Sequence, residues 1–431
     1  MSATIIAQEG SSVTLEVRVD LGSNMMESEE KILAALNEAG VLATGVALKR
    51  FDTDGNPIRV GTVKMTSMGR VHKDYQSPFG SVSIHRHVYQ SSRGGATYCP
   101  LEKAARIVIT STPRFAKMVA SKYSQKDARW VVHDLKESHG RTVAVCLVQK
   151  VAEMVGSLTQ AADEAWSYET PEPKVPVRSI GIGLDGTCML MVEEGWRQAM
   201  VGTIALFDRH GERLHTTYIG AAPEAGRETF LRRLEREVYH VKTLFPRALT
   251  IGLADGAPTN WEFLEKHTEM QVLDFYHASE HLTKAADILF AKDGDAREEW
   301  LEKVCHRLKH ESTGPRSITK EMVHLTKTTK LSTEGRKDVL GVIHYFRNNL
   351  HRMPYALQVS SHRPIGSGVT EAACKVIIKQ RLGCSGMKWK EEGAGVVISL
   401  RCLNQTEGRW EQFWAKSQAV GYPDGWAGTC S

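Results

Sequence analysis

Two stretches of this chain share one design. SIGIGLDG (residues 179–186) and LTIGLADG (residues 249–256) are short apolar runs, each closed by Asp-Gly. Apolar runs of this length, without polar alternation, read as strands buried on both faces, and such strands need helices on either side of a sheet. The surrounding patterns supply them. SIGIGLDGTCMLM, RQAMVGTIALFD and ERLHTTYIGAA predict three successive strands with turns at EEGW and RHG. EAGRETFLRRLEREVYHVKTLF predicts an amphipathic helix with Phe230, Leu231, Leu234, Val238 and Val241 on one stripe. RALTIGLADG, PTNWEFLEKH, MQVLDF and HASEHLTKAADILF then predict strand, helix, strand and helix. The expected fold class is α/β, with a mixed sheet of three antiparallel strands plus two parallel ones.

In sheets of this kind, functional groups gather at strand ends where the chain order reverses. Asp185 interrupts the first strand and Asp255 ends the fourth. Side by side, the two carboxylates would repel unless a cation neutralised them. Hard oxygen ligands select Mg²⁺ or Mn²⁺. A lone Asp-Gly is also a common hairpin turn. Its repetition in two strands expected to pair argues for a site.

A third acid is expected at Glu371, in RPIGSGVTEAACKVIIKQRLG. Ser367 can cap this helix and place Glu371 in its first turn. Lys375 and Lys379 follow at helical spacing on the same side. They read either as an exposed Glu-Lys face or as a metal ligand followed by a basic surface for DNA phosphates.

The rest of the chain divides by composition. YETPEPKVPVRS, with prolines at 171, 173 and 176, predicts a stiff linker over 168–178. Before it, residues 1–110 predict an α+β region: a strand in SSVTLEVRVDL, a helix in SEEKILAALNEAG ending at Gly40, and a turn at DGNP. GSVSIHRHVYQ predicts one arm of a β-hairpin, with Val82, Ile84, Arg86 and Val88 on one face, a turn at SSRGG and a return in ATYCP. Residues 111–167 turn helical. Thr112 is a candidate cap, Pro113 fits the first helical position, and His139-Gly140 marks a turn. Three helices with a tight glycine turn suggest either a DNA-binding helix-turn-helix or a small bundle. Arg141 is the candidate DNA contact there. Residues 179–290 and 356–405 are expected to form the α/β core, 291–355 lack strand patterns and read as helical throughout, and 406–431 are expected to form a C-terminal tail.

Totals set outer bounds. A chain of 431 residues suggests two or three domains. Its purely apolar runs fall short of the roughly 18 residues of a membrane span, and MSATIIAQEG lacks a basic segment followed by an apolar one, so a cytoplasmic protein without a membrane partner is expected. A net charge of +5 permits nucleic acid as a partner without demanding it. The eight cysteines (99, 146, 188, 305, 374, 384, 402 and 430) form no C-x-x-C pair, against both a zinc ribbon and a disulfide framework.

LDG, LADGAP, DFYHASEH and GSGVTEAACK, in that order, resemble the DDE transposases of bacterial insertion sequences, most closely the ISKra-type group. HVYQSSRGGATYCPLEKAARI and TPRFAKMVASKY are similar to the same group, so the resemblance covers nearly the whole chain. It implies an RNase H-like core with Asp185, Asp255 and Glu371 as its acidic triad, interrupted by the 291–355 insertion. Asp274-Phe-Tyr-His277 matches a [C/D]-x-x-H signature of related groups, which implies supporting roles for Asp274 and His277. Where the wider group often carries paired cysteines near the hairpin, this chain has Cys99 alone, so no zinc-stabilised hairpin is expected. The implied activity is cleavage of insertion-sequence ends and joining of the 3′-OH to target DNA. Two Mg²⁺ or Mn²⁺ ions about 3.5–4 Å apart would assist it. The implied partners are double-stranded DNA and further copies of the chain, and the implied location is the nucleoid.

Other readings compete. His277-Ala-Ser-Glu280-His281 matches H-x-x-E-H, the inverted zinc-peptidase motif. A transposase-derived DNA-binding protein without catalysis is a further alternative, against which all three acids count. Trp261 and Trp389 could stack on unpaired bases or pack internally. The insertion's basic residues (Arg307, Lys309, Lys327, Lys330, Arg336, Lys337, Arg347 and Arg352) could meet DNA or form a solvated face.

Overall fold

The structure, a computed structural model, describes residues 2–224 and 227–423. By its internal contacts the chain divides into two units. One comprises Met1–Tyr168, Gly395–Asn404 and Arg409–Ser431, and the other Glu169–Ala394 and Gln405–Gly408.

The first unit opens with an antiparallel pair, β1 (Ala3–Glu9) and β2 (Ser12–Val17), followed by the 25-residue helix α1 (Met25–Lys49). Asn24 caps α1 by accepting the Glu27 amide at 2.9 Å. The helix does not stop at Gly40. A Cβ there would collide with the Phe79 ring, so this glycine lets a neighbouring turn approach the helix instead of ending it. By length and composition α1 is long and apolar enough to cross a membrane. In this fold it lies against the turn before β5, with Gly80 close to Val41 and Phe79 over Gly40.

Strands β3 (Ile58–Val60), β4 (Val63–Gln76) and β5 (Ser81–Ser91) form an antiparallel sheet in that order. Val82, Ile84, Arg86 and Val88 share a buried face as the alternation predicts. The main partner of β5, however, is the strand before it, not ATYCP. Ser77 decides this: its hydroxyl accepts the amides of Phe79 and Gly80 and closes a tight turn between β4 and β5. The ATYCP segment adds only a bridge between Tyr89 and Tyr98.

Helices α2 (Pro100–Ala104), α3 (Pro113–Gln125), α4 (Ala128–His139) and α5 (Val145–Ala165) complete this part. Thr112 makes no side-chain cap. Asp127 caps α4 by accepting the amides of Arg129 and Trp130, and Gly140 ends α4 in the left-handed conformation.

The second unit is built on a five-stranded mixed sheet: β6 (Ser179–Met191), β7 (Gly195–Phe207), β8 (Arg213–Ala221), β9 (Leu249–Ala254) and β10 (Met270–Leu273). Its order is β10-β9-β6-β7-β8. β6, β7 and β8 are antiparallel in succession, and β9 and β10 run parallel to β6. Ser179–Leu184 is buried without interruption, as a strand covered on both faces must be.

Helix α6 (Glu228–Leu244) supplies one cover. Phe230 and Leu234 come within contact distance of where a Gly202 Cβ would sit. The sequence pattern predicts this helix from Glu224, but residues 225–226 lie outside the described residues. α7 (Pro258–His267) packs Leu264 against Gly252 of β9, and α8 (Phe275–Leu289) follows β10. The insertion contributes α9 (Gly294–His310), α10 (Gly314–Thr328), α11 (Thr333–Asn349) and α12 (Tyr355–Ser360). It is not an appendage. Trp300, Val304, Ile318, Met322, Ile343 and Phe346 belong to the same buried cluster as Ile180 and Ile182 of the sheet.

Helix α13 (Gly368–Ala373) continues through a π-helical stretch, Cys374–Lys379, into α14 (Gln380–Leu382). It is pinned to the sheet where Thr370 Oγ1 meets Thr203 Oγ1 at 2.7 Å. A Cβ on Gly183 would overlap that same Thr370 oxygen.

The last helices are α15 (Glu391–Gln405) and α16 (Arg409–Val420). Residues 395–404, expected in the α/β core, group with the first unit, where Arg401 donates to the Ser124 carbonyl and Val396 packs on Gly156. Much of the expected tail is likewise a helix of that unit, burying Trp410, Phe413 and Trp414. Residues 424–431, with Cys430, lie outside the described residues.

Gly183→Ala should destabilise the chain by about 1–3 kcal/mol, because a methyl must displace a buried, hydrogen-bonded threonine. Gly341→Ala, on an open helix surface where nothing lies within 4 Å, should stabilise it by about 0.5–1 kcal/mol. Urea unfolding of the two variants checks both signs.

Candidate active site

The parallel pairing of β6 and β9 matches Ile182 with Gly252 and Gly183 with Leu253. This pairing ends two residues before Asp185 and Asp255, and the Asp255 charge acts on Asp185 across the gap. Asp185-Gly186 is not a hairpin turn, since both residues remain in β6, paired with Val201 and Met200 of β7. β9 instead ends at Ala254. There Gly256 takes φ +113°, and the Asp255 carboxylate accepts the Ala257 amide at 3.2 Å.

Glu371 reaches the same place from α13. It lines an open groove of about 760 Å³ together with Asp185, Gly186, Cys374, Lys375 and Lys379. The charges of Asp255 and Glu371 are both felt at Asp185. Burial is the largest influence on that carboxyl and raises its pKa, and the two neighbouring acids push it further up. The Gly186 amide at 2.6 Å and the Cys374 thiol at 3.7 Å work in the opposite direction. Burial, followed by the Asp185 charge, pushes the Cys374 thiol up to about 12, so it stays protonated and can donate.

Asp274 organises the other side of Glu371. It is wholly buried (0% exposed). Its Oδ1 accepts the His277 amide at 2.7 Å, capping α8, and faces His277 Nδ1 at 3.3 Å. Its Oδ2 accepts the Ser367 amide at 2.5 Å and the Ser367 hydroxyl at 3.0 Å. One carboxylate therefore holds the starts of α8 and α13 together. Gly366 makes the approach feasible, since a Cβ there would come within 2.9 Å of Oδ2.

Ser367 does not cap α13 through its side chain, contrary to the sequence expectation. Its hydroxyl instead lies between two acids, 3.0 Å from Asp274 Oδ2 and 2.8 Å from Glu371 Oε1, and its single proton serves one of them at a time. Ligand atoms of Asp274, His277 and Glu371 lie within 4.8 Å of one another. Burial disfavours charge on His277, but Asp274, then Asp255 and Glu280, more than offset it and raise the pKa of the ring.

These groups suit a hard divalent cation. Among the described residues Asp185, Asp255 and Glu371 do not form so close a group, but the charges of Asp255 and Glu371 both act on Asp185, a repulsion that a cation would relieve. Asp274 is a poorer ligand, since both its oxygens already face donors, and its work is to hold the two helices.

The remaining candidates separate. Lys375 and Lys379 are exposed along the groove beyond Glu371. Trp389 is half-buried: its indole donates to the Leu382 carbonyl at 3.0 Å and carries the Arg381 guanidinium over its ring. Arg141 is not a surface contact. It is 7% exposed, and its guanidinium donates to the Ser77 carbonyl and to Gln76, bracing the β4–β5 turn over the Phe115 ring. Trp261 is 3% exposed beneath Arg352, which closes off base stacking. Arg307 and Arg352 of the insertion are engaged with Glu321 and Glu265. Lys327, Lys330, Arg336, Lys337 and Arg347 are exposed.

The zinc-peptidase reading loses its second histidine. His281 stacks on Tyr345 with ring centroids 3.8 Å apart, and among the described residues no group of three ligands includes it. Sequence reasoning missed Cys374 and Tyr345. Cys374 had a signal, since it lies three residues after Glu371 on one helix. Tyr345, 90 residues from Asp255, had none.

No protein-family model matches the chain, and no curated protein matches it.

A carboxyl whose pKa is raised by folding favours the folded state at low pH and costs stability as the pH rises through its folded value. Asp185→Asn removes that cost. In metal-free buffer at pH 7 to 8 it should melt at a higher temperature than the wild type. The difference should shrink as the pH is lowered into the carboxylate range, which thermal unfolding across pH measures.

Proposed function

We propose that this chain is a DDE-class DNA transposase with an RNase H-like core, which cleaves insertion-sequence ends and joins the freed 3′-OH to target DNA. The observation that carries this reading is that the charges of Asp255, just past β9, and of Glu371, on α13, both act on Asp185 in β6, where Asp185 and Glu371 line one groove. The motif resemblance supplies the reaction class. The geometry supports it in that Asp255 and Glu371, from distant parts of the chain, both act electrostatically on Asp185.

In this reading Asp185, Asp255 and Glu371 hold two divalent ions, Mg²⁺ or Mn²⁺. The bound ions would supply Lewis acidity, lowering the pKa of an attacking hydroxyl and neutralising charge on the leaving 3′ oxygen. The chain itself binds and orients. Lys375 and Lys379 follow Glu371 along the groove, where they meet backbone phosphates. The Gly186 amide and the Cys374 thiol fix the Asp185 carboxylate, and the Ser367 hydroxyl fixes Glu371. Asp274 and His277 support that arrangement. No nucleophilic side chain is required, since water and then the 3′-OH attack phosphorus directly. The three packed helices α3, α4 and α5 are the part proposed to bind duplex DNA as a helix-turn-helix. Joining two element ends calls for a homo-oligomer, acting at the nucleoid.

The test is incubation with a supercoiled plasmid carrying the flanking element ends, with and without Mg²⁺. Nicks should map to the element ends and require the metal. Asp185→Asn and Glu371→Gln should each lower the cleavage rate at least ~100-fold while leaving duplex binding nearly intact. A variant that cuts like the wild type overturns the assignment of that residue. Replacing Lys375 and Lys379 by Ala should weaken binding at all sequences and reduce the salt-dependence slope by about 1 for each phosphate no longer neutralised.

A further inference from the structure

We propose that Tyr345, from the helical insertion, is a positioning residue for the Asp255 loop, so that the insertion directly sets the metal affinity of the acidic site. This inference rests on the reading of Asp255 as a metal ligand.

Asp255 follows the end of β9, where strand pairing stops constraining the backbone. The next residue, Gly256, takes φ +113°, a region that glycine enters freely and other residues rarely. The peptide unit between the two can therefore rotate at little cost unless something holds its carbonyl. Tyr345 does so. Its hydroxyl donates to the Asp255 carbonyl at 3.3 Å, and its ring edge lies 3.4 Å from where a Gly256 Cβ would be.

The phenol is itself fixed. It stacks on His281 of α8 with ring planes 24° apart, and Phe346 beside it is wholly buried. α8 is capped by Asp274 and carries His277, so the same helix that orders the far side of Glu371 also aligns the tyrosine gripping Asp255. His281 acts here as a stacking partner. Burial, then Lys284 and His277, lower its pKa, consistent with a neutral ring against the phenol.

The Asp255 backbone sets the direction of its side chain, and that direction sets how closely its carboxylate approaches the one on Asp185. Losing the phenol hydroxyl should therefore loosen a ligand while leaving the core intact. Tyr345→Phe retains the ring, the stack and the buried surface, and removes only the donor.

Binding of Mn²⁺ to the full chain is followed from the spectrum of free Mn²⁺ by electron paramagnetic resonance, alongside the metal-free melting temperature. The expected result is a half-saturating Mn²⁺ concentration raised about 2- to 10-fold in Tyr345→Phe, the span of one neutral hydrogen bond, with the melting temperature unchanged. In plasmid nicking, the loss should appear at low Mg²⁺ and recover at saturating Mg²⁺, which a merely structural role would not produce. Wild-type Mn²⁺ affinity in Tyr345→Phe overturns the inference and leaves the transposase reading standing. No Mn²⁺ binding by the wild type, or binding unaltered in Asp255→Asn, overturns both.

Discussion

A single buried carboxylate bears the geometry of the acidic cluster. Asp274 accepts donors on both oxygens, from His277 at the start of one helix and from Ser367 at the start of another. A wholly buried carboxyl is tolerable only when its oxygens are partnered this way. Each helix start also leaves amides without partners, and the same acid satisfies two of them. The same hydrogen bonds therefore meet the needs of the buried acid and of both helix starts. Glu371 inherits its position from this arrangement, because Ser367 lies one turn before it, with its amide held by Asp274 and its hydroxyl 2.8 Å from Glu371.

The opposite wall depends on close approach. Gly183 lets α13 sit directly on β6, and the Thr203–Thr370 hydroxyl pair locks the contact. The helix carrying Glu371 is thus held at its start by an acid and along its length by the sheet. Against this rigid frame, Asp185 is kept in an uncomfortable state, partly desolvated and facing two like charges. Asp185 has two donors, the Gly186 amide and the Cys374 thiol, where Asp274 has partners on both oxygens, and under the proposed reading a cation would relieve the repulsion that remains.

Much of the second unit was legible in the sequence, because fully buried strands leave a period that few other elements imitate. The apolar runs of β6 and β9, the stripe of α6 and the absence of strands from 291 to 355 all come from burial on one or two faces. The mixed five-stranded sheet follows from them. What was illegible depended on partners distant in the chain. Gly40 reads as a helix stop until Phe79 is seen against it, and Ser367 reads as a cap until its hydroxyl is seen between Asp274 and Glu371. The strand Ser81–Ser91 carries its correct inward face, but the choice of partner lay in the Ser77 hydroxyl, not in the glycines that follow. Arg141 shows the same limit: a cation in a helical region suggests solvent, yet this one is engaged by a turn 64 residues away. The acids themselves were found by repetition and resemblance, whereas Cys374 and Tyr345 touch them through contacts with no periodic trace.

The widened stretch from Cys374 to Lys379 has a geometric corollary. In a regular α-helix each residue advances about 100°, so eight steps from Glu371 to Lys379 would overshoot two full circles by about 80°. A π-helical turn accommodates more residues, so each advances less, and the overshoot shrinks. Lys379 is thereby rotated back towards the bearing of Glu371, and both border one groove. The wider turn works as a phase corrector: with the same residues wound as a regular α-helix, the acid would stay where it is and the downstream cation would swing away from the groove.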